Sequence, residues 1–586
     1  MDTQRLILFF VFVFSTFMLV DGWQRDQHAQ APVTQAANKA APTAAGKGEA
    51  TSIPVPQAPT GNVPSATSPP VAGAAPAATV STGGEIIKVE TDVLLAQIST
   101  LGGDIRRLEF KKHKGTLDKN KNFVLFQSNA DHTYIAQSGL IGEGSPNHHT
   151  LYTVTSREFA LADGAKALEV RLSAPEANGV KVDQIYKFTR GSYVIDVSYE
   201  ITNGTGKALQ PYGYFQLVRD RKPPEGDSAM LPTFTGLAVY TKDKKFQKVT
   251  FDDVDKDKVS YSKTSQDEGW VAIVQHYFLS AFLPKDDTPR EFYTNKLESG
   301  LYAAGVKVVG APIPAGQKGV ISTPLYAGPQ DTKTLKEIAP GLDLTVDFGV
   351  LTVIAVPLFM VLTWIHGLVG NWGIAIILLT VLLKAVFFPL QAASYKAMAK
   401  MKVIAPKMQQ LKERYGDDRQ RMQKAMMELY QKEKVNPMAG CLPIVVQMPV
   451  FIALYWVILA SVELRHSPFG LGIDDLSMGA LSTAASGAAT NGFVVGGFIL
   501  ASFPYWVLPV LMGASMIIQT KLNPEPPDPV QAKVMKIMPI AFSVFFFFFP
   551  AGLVLYWLVN NILSIAQQWH INRTLGQASV KPGAKA

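Results

Sequence analysis

One cysteine, Cys441, stands in a chain of 586 residues. That excludes an intrachain disulfide, a cysteine-built zinc site and an iron–sulfur cluster. Charge is scarce as well: Asp, Glu, Lys and Arg make up 17%, against about 25% in an ordinary soluble protein. No phosphate-cradling Gly-x-x-x-x-Gly-Lys-Ser/Thr loop occurs, so no nucleotide-driven pump of that type is encoded. His-Glu-x-x-His and Gly-x-Ser-x-Gly are missing too, and the zinc-protease and esterase readings go with them. No catalytic set or cofactor site emerges, and the chain reads as a non-enzyme. The pair His148-His149 lies in Ser145-Pro-Asn-His-His-Thr150, a turn-like sequence expected to be a surface loop rather than a metal site.

Apolar residues are plentiful at 47%, alongside 38 prolines and 46 glycines, and the mean hydropathy is +0.12. That mixture fits a membrane part joined to a soluble part, with room for three or four units at roughly 100–200 residues each. Net charge is +8, which suits nucleic acid, anionic lipid or positive-inside loops. Its location decides. Residues 24–347 balance at 35 basic and 35 acidic groups, whereas residues 348–586 hold 19 against 10. The excess is a topology signal and does not point to DNA.

Residues 1–23 carry an uncharged apolar run from Leu6 to Val20, then Trp23 as an interfacial anchor. A cleaved signal peptide is one reading. The Ala29-Gln30-Ala31 site lies far beyond the apolar run, so an uncleaved signal anchor is favoured. Residues 24–84 are rich in Ala, Pro, Thr, Ser and Gly and form an extended tether without a core. Residues 85–340 turn to a period of two. Ile195, Val197, Tyr199 and Ile201 alternate with Asp196, Ser198 and Glu200, and Asn203-Gly204 supplies a turn. Runs at 86–91, 105–110, 181–188, 301–308 and 320–326 behave alike, which predicts an all-β domain of sandwich type.

Apolar windows at 371–390, 441–462, 504–520, 534–549 and 552–568 predict five membrane spans in a core covering 371–573. Residues 341–370 hold a sixth apolar stretch at 348–369. Were it also to cross, with the β domain outside, residues 391–440 would face outside carrying 11 Lys/Arg against 5 Asp/Glu, against the positive-inside rule. It is therefore expected to lie in the interface. Both termini are then cytoplasmic, including a tail at 574–586, and the β domain is external.

Lys384, in Leu378-Leu-Thr-Val-Leu-Leu-Lys384, is the formal charge set deep inside an expected span, whereas Lys536 stands only at the edge of the 534–549 window. A central Lys costs roughly 2.5–3.5 kcal/mol on insertion scales and so faces protein or water. Two readings stand. Its stem snorkels to the interface, since Pro389 is only five residues on, or it charges a cavity open to the cytoplasm. No acidic residue of another span is available to pair with it. Thr380 lies one turn earlier on the same face, and bonding to its own helix backbone is an equally good account of it. Segment 394–436 predicts a basic helical hairpin. Met398, Met401, Met408 and Leu411 form one stripe and Met422, Met426 and Leu429 the other, with Pro406 starting or kinking the first helix. Gly416 suits a helix end, and Asp417 or Asp418 a helix start. Its exposed charges, Lys407, Lys412, Arg414, Arg419 and Arg421, suit lipid phosphates, ribosomal RNA or an acidic partner. Met448, Met512 and Met516 are candidates for contacting varied apolar helices, with ordinary core packing as the alternative. Rival readings are a transporter built around Lys384, which needs converging polar residues on several spans where the sequence offers few, and an anchored sugar-binding module.

Met398-Ala-Lys-Met401, Tyr415-Gly-Asp-Asp-Arg419, Lys434-Val-Asn-Pro437-Met-Ala-Gly-Cys441-Leu-Pro443, Gln447-Met-Pro-Val450, Val462-Glu-Leu-Arg465 and Pro550-Ala-Gly-Leu-Val-Leu-Tyr556 strongly resemble the YidC membrane-protein insertase family. Met1-Asp-Thr-Gln-Arg5 looks like its bacterial form with a large periplasmic domain. The resemblance covers nearly the whole chain and is densest from Asn371 to Arg573. It implies a multi-pass protein of the bacterial inner membrane: a periplasmic all-β supersandwich like galactose mutarotase, and an α-helical transmembrane bundle with a cytoplasmic helical hairpin. It implies a charged groove, closed to the outside, that inserts and helps fold nascent membrane proteins. Implied partners are those nascent chains, the Sec translocon, the ribosome and signal recognition particle pathway, and anionic lipids; no cofactor is implied. On that likeness Lys384 stands where the family has a groove arginine, keeping charge but losing the bidentate fork. Thr380 matches a groove threonine, and Trp557 stands where a second tyrosine commonly follows Tyr556. The loop at 478–502 looks longer than usual, and the short tail disfavours a long ribosome-binding extension.

Overall fold

The computed structural model describes residues 84–579, except 117, 225–232, 259, 417, 434, 436–441, 471, 480–492, 496–497, 501–504 and 524–528. The expected anchor and tether, Cys441, most of the 478–502 loop and the end of the tail lie outside the described residues. The chain divides into a β unit ending at Thr345 and a helical unit starting at Val346.

The β unit consists of a ten-stranded and a nine-stranded sheet. The alternating run became the strand Val194–Asn203, with Ile195, Val197, Tyr199, Ile201 and Asn203 buried in strict alternation. It pairs with Val180–Thr189 on one side and Lys318–Pro329 on the other, with Val197 opposite Tyr186 and Thr323. The runs at 86–91, 105–110, 301–308 and 320–326 are strands as well. Asn203 ends its strand as the turn signal predicts. Its side-chain oxygen accepts the Thr205 N–H at 3.0 Å, and its amide donates to the Lys207 and Ile313 carbonyls.

Three strands carry no alternation. Gly236–Thr241, Gly269–Gln275 and Phe278–Phe282 are buried on every residue, so their sequences read as continuous apolar runs. The segment after the last strand covers part of the nine-stranded sheet. It comprises a helix at Thr332–Ile338 and a 3₁₀ turn at Leu342–Thr345. The Trp270 indole N–H donates to the Pro340 carbonyl at 3.0 Å.

The facing sheets meet through aromatic rings, such as Phe123 stacked on Phe278 at 4.0 Å, and through buried polar bridges. Tyr134 and Ser280 hydroxyls are 2.5 Å apart, and those of Ser138 and Tyr199 2.8 Å apart. Asp104, 1% exposed, accepts from Gln137, which in turn accepts from Gln216. His148 belongs to this interior. Its ring nitrogen meets the Tyr214 hydroxyl, and the residue is buried, which corrects the surface-loop expectation. His149 alone is exposed. The backbone around Pro146 folds onto the sheet, with the Leu140 N–H donating to the Pro146 carbonyl, and this carries the His148 ring inward. Among the described residues no group of His, Cys, Asp or Glu is arranged to hold a metal.

The helical unit contains α1 (Thr352–Val369), α2 (Trp372–Val386), α3 (Phe388–Tyr415), α4 (Arg419–Lys432), α5 (Leu442–Ala460), α6 (Val507–Leu522), α7 (Pro529–Phe545) and α8 (Ala551–Ser579). Each apolar window between 348 and 568 is thus helical over most of its described residues. By length and composition α1 is, among the described residues, the helix that passes for a span unaided, while α2 and α3 pass together as a pair bent by 67°. Gly370, at φ +69°, ends α1 in the left-handed region, and the Asn371 side chain caps α2 by accepting the Ile374 N–H at 3.0 Å. α1 buries Ala355, Leu358, Leu362 and Ile365, a single stripe at helical spacing, and packs on α5 and α2.

α3 runs unbroken through Pro406, so this proline does not start the helix; the start is at Phe388, after the bend. Ile404, Met408 and Val435 form a cluster with Met401, Met426, Leu429 and Tyr430, which joins the two expected stripes. Of the two candidate aspartates, Asp418 caps α4, accepting the Arg421 N–H at 3.0 Å.

Candidate functional site

α2, α3, α5 and α8 bring polar side chains together around Lys384. Its Nζ donates to Gln391 Oε1 at 3.0 Å and to the Ser564 hydroxyl at 2.6 Å. Ser564 passes its own proton to the Asn560 carbonyl one turn earlier. Gln391 Nε2 donates to Gln447 Oε1 at 3.4 Å, and Gln447 Nε2 donates to the Tyr556 hydroxyl. No carboxylate pairs with Lys384 among the described residues. Its partners are neutral, so its charge is held in place without being cancelled.

Local sequence explains this placement. On α8, Tyr556, Asn560 and Ser564 recur every four residues and so share one face. Asn561 and Gln568 lie on the neighbouring stripe. Asn561 donates to Ser515 Oγ on α6 at 3.1 Å and Gln568 to Asn523 Oδ1 at 3.0 Å. On α3, Gln391 and Ser394 follow Pro389 and are both buried. Ser394 Oγ and Asn560 Oδ1 have no hydrogen-bond partner among the described residues. Polar residues from several helices do converge here, more than the sequence suggested, because single Gln, Asn and Ser residues scattered through apolar windows carry no local signature.

The expected site residues separate into groups. Lys384 and Tyr556 belong to the polar cluster. Thr380 is buried and donates to the Ile376 carbonyl of its own helix at 2.7 Å, the second of its two readings. Trp557, one residue past Tyr556, packs on Phe451 at 4.6 Å and Phe546 at 5.6 Å between ring centroids. Met512 is fully buried, so here it is a core residue and presents no contact surface. Its place on α6 opposite α8 accounts for that. Met516 is half-buried and Met448 is 41% exposed. Of the hairpin charges, Lys407 pairs with Glu433 at 2.6 Å and Arg421 with Asp418 at 3.1 Å, while Arg414 lies over the Tyr415 ring. The Lys412 and Arg419 side chains lie outside the described residues. Gln391, Gln447 and Ser564 were missed as site residues. The four-residue spacing from Tyr556 was legible; the roles of Gln391 and Gln447 were not.

At one end of the bundle, residues 462–479 fold against the helices. The Asn371 amide donates to the Pro468 and Phe469 carbonyls, and the Ala551 and Gly552 N–H groups donate to the Met478 and Leu476 carbonyls at 2.8 Å.

Two family descriptions match the chain: "YidC periplasmic domain" over residues 86–361 and "60Kd inner membrane protein" over residues 364–578. A membrane protein insertase YidC of Aromatoleum aromaticum is 52% identical over 587 residues, covering 100% of both chains. That of Nitrosospira multiformis is 50% identical over 580 residues, covering 98% of both. Among solved structures, an active YidC insertase with its first transmembrane domain resolved aligns with a TM-score of 0.39 and 18% identity, over 83% of this chain and 92% of that one.

Proposed function

The chain belongs to the YidC family of membrane protein insertases, and on that footing we propose that Lys384 is the charge that draws the polar flank of a nascent membrane protein into the helical unit. The family is one of non-enzymatic insertases of the inner membrane. In this reading α2, α5, α6, α7 and α8 span the membrane, α1 lies at the outer interface, and the hairpin α3–α4 faces the cytoplasm with its exposed lysines and arginines. That orientation puts the basic segment 391–440 inside, in keeping with the positive-inside rule. The hairpin meets the ribosome, signal recognition particle pathway clients or anionic lipid headgroups, and the insertase works alone or beside the Sec translocon.

One observation carries the reading: among the described residues Lys384 is fixed by neutral acceptors only. In a low-dielectric setting an uncancelled ammonium attracts carboxylates and carbonyls strongly. A client's polar flank is drawn to Lys384, and its apolar segment leaves into lipid past the ring cluster of Phe451, Phe546 and Trp557. Transfer of apolar surface to lipid drives the step without nucleotide.

The test is Lys384→Ala in the full chain, following insertion of a single-span client with an acidic external tail. Insertion is expected to fall at least tenfold, in line with loss of a charged hydrogen-bonding group worth about 1.5–3 kcal/mol. Unchanged insertion would overturn the electrostatic role.

A further inference from the structure

We propose that Gln391 is the positioning residue for Lys384, and that the Gln391–Gln447–Tyr556 relay sets where the charge stands when a client arrives. The proposal rests on the groove role assigned to Lys384.

The side chain of lysine is a compact charge on a flexible four-carbon stem. Nothing in its own helix fixes it. α2 ends at Val386 and the next helix departs at 67°, so Gln391, seven residues on, lies across the bend. Its Oε1 reaches back to Nζ at 3.0 Å. Gln391 is itself buried, and its amide orientation is set from the other side, because its Nε2 donates to Gln447 Oε1. Gln447 is oriented in turn by donating to Tyr556.

The relay therefore has one direction. Each amide accepts through oxygen on the Lys384 side and donates through nitrogen on the Tyr556 side. Reversing one amide would set N–H against N–H or oxygen against oxygen, and at Gln391 it would point an NH₂ group at the ammonium. Three helices, α3, α5 and α8, thus specify one position for a charge carried by a fourth. An ammonium has three N–H groups. Among the described residues Gln391 and Ser564 take two, which leaves one donor for an acceptor brought by the client. A glutamate at position 391 would have fixed the ammonium equally well and cancelled its charge. A neutral amide fixes it and leaves the charge available.

The test uses the full-length protein in proteoliposomes, with the acidic-tailed single-span client as probe. Gln391→Leu keeps the volume and removes the acceptor. Insertion is expected to fall about tenfold, the loss of one hydrogen bond to a charged group. Lys384→Met in the same background is expected to add nothing beyond Lys384→Met alone. Lys384→Arg is expected to restore insertion in the Gln391→Leu background, because a planar guanidinium is oriented by its own shape. Gln391→Asn, which keeps an amide, serves as the second variant if Gln391→Leu accumulates poorly; it is expected to show the same non-additivity with Lys384→Met. Additive losses, or a loss that Lys384→Arg leaves unrepaired, would mark Gln391 as merely structural and overturn the proposal. A normal Gln391→Leu protein beside a defective Lys384→Met protein would overturn it too. A normal Lys384→Met protein would instead overturn the groove role of the charge itself.

Discussion

The ammonium of Lys384 on α2 lies 2.6 Å from the hydroxyl of Ser564 on α8, 180 residues later in the chain. The contact ties α8 to the charge carried by α2. It works because Ser564 directs its own proton to the Asn560 carbonyl and is free to accept. Ser564→Ala removes one of two acceptors and leaves Gln391. Insertion of an acidic-tailed client is expected to fall about three- to tenfold, less than for Lys384→Ala. An equal loss in the two variants would mean that Ser564 matters for packing.

Asp104 makes the β unit sensitive to pH. Burial pushes its carboxyl up to about 7, against the lowering effects of the Gln137 hydrogen bond and the Arg106 guanidinium. A carboxyl raised above its unfolded value binds its proton more tightly in the folded state. Its contribution is therefore fully present at low pH and is lost as pH rises from about 4 through about 7. Asp104→Asn mimics the neutral acid. It is expected to flatten this slope and to stabilise the β unit at pH 8 by at least about 1 kcal/mol. Hydrogen exchange of the strand Thr133–Leu140 at pH 5 and pH 8 measures it, and equal slopes in the two proteins would refute the assignment.

Asn203 is fully buried and serves five polar groups: the Lys207, Ile313 and Pro314 carbonyls, and the Thr205 N–H and hydroxyl. Asn203→Ala leaves buried carbonyls without a donor and is expected to cost about 2–4 kcal/mol. Denaturant unfolding followed through the β unit checks it. Asn203→Asp, which keeps the oxygen but loses the donors, is expected to be nearly as damaging.

Gly373 is in contact with the segment at 462–479. A Cβ there would stand 2.0 Å from the Phe469 ring. Alanine gains up to about 1 kcal/mol of helix propensity, while overpacking costs about 1–3 kcal/mol. The clash involves several atoms of Phe469, its Cβ among them, so the cost is expected to win. Gly373→Ala should loosen this segment and raise its protease sensitivity in proportion. Resistance equal to that of the parent would show that Phe469 moves aside freely.

Local pattern made much of the architecture legible. Alternation at Ile195–Ile201 marked a strand, and each long apolar window marked a helix, because burial of one face or one stripe is written at fixed spacing along the chain. It failed where burial is two-sided. Gly269–Gln275 and Phe278–Phe282 have no polar face to alternate with. His148 looked like a loop residue because its burial depends on Tyr214, a partner 66 residues away.

The sequence by itself determined most of the β and helical segments, the family, and the presence of a charge, Lys384, deep in an apolar window. Only the tertiary structure decided what that charge touches. Gln391, Gln447, Tyr556 and Ser564 come from three helices, and a hydrogen bond between residues 180 positions apart leaves no period, spacing or composition in the chain that makes it. The same holds for Thr380 and Met512. Their residue types suited a groove, and helix packing enclosed both in the interior.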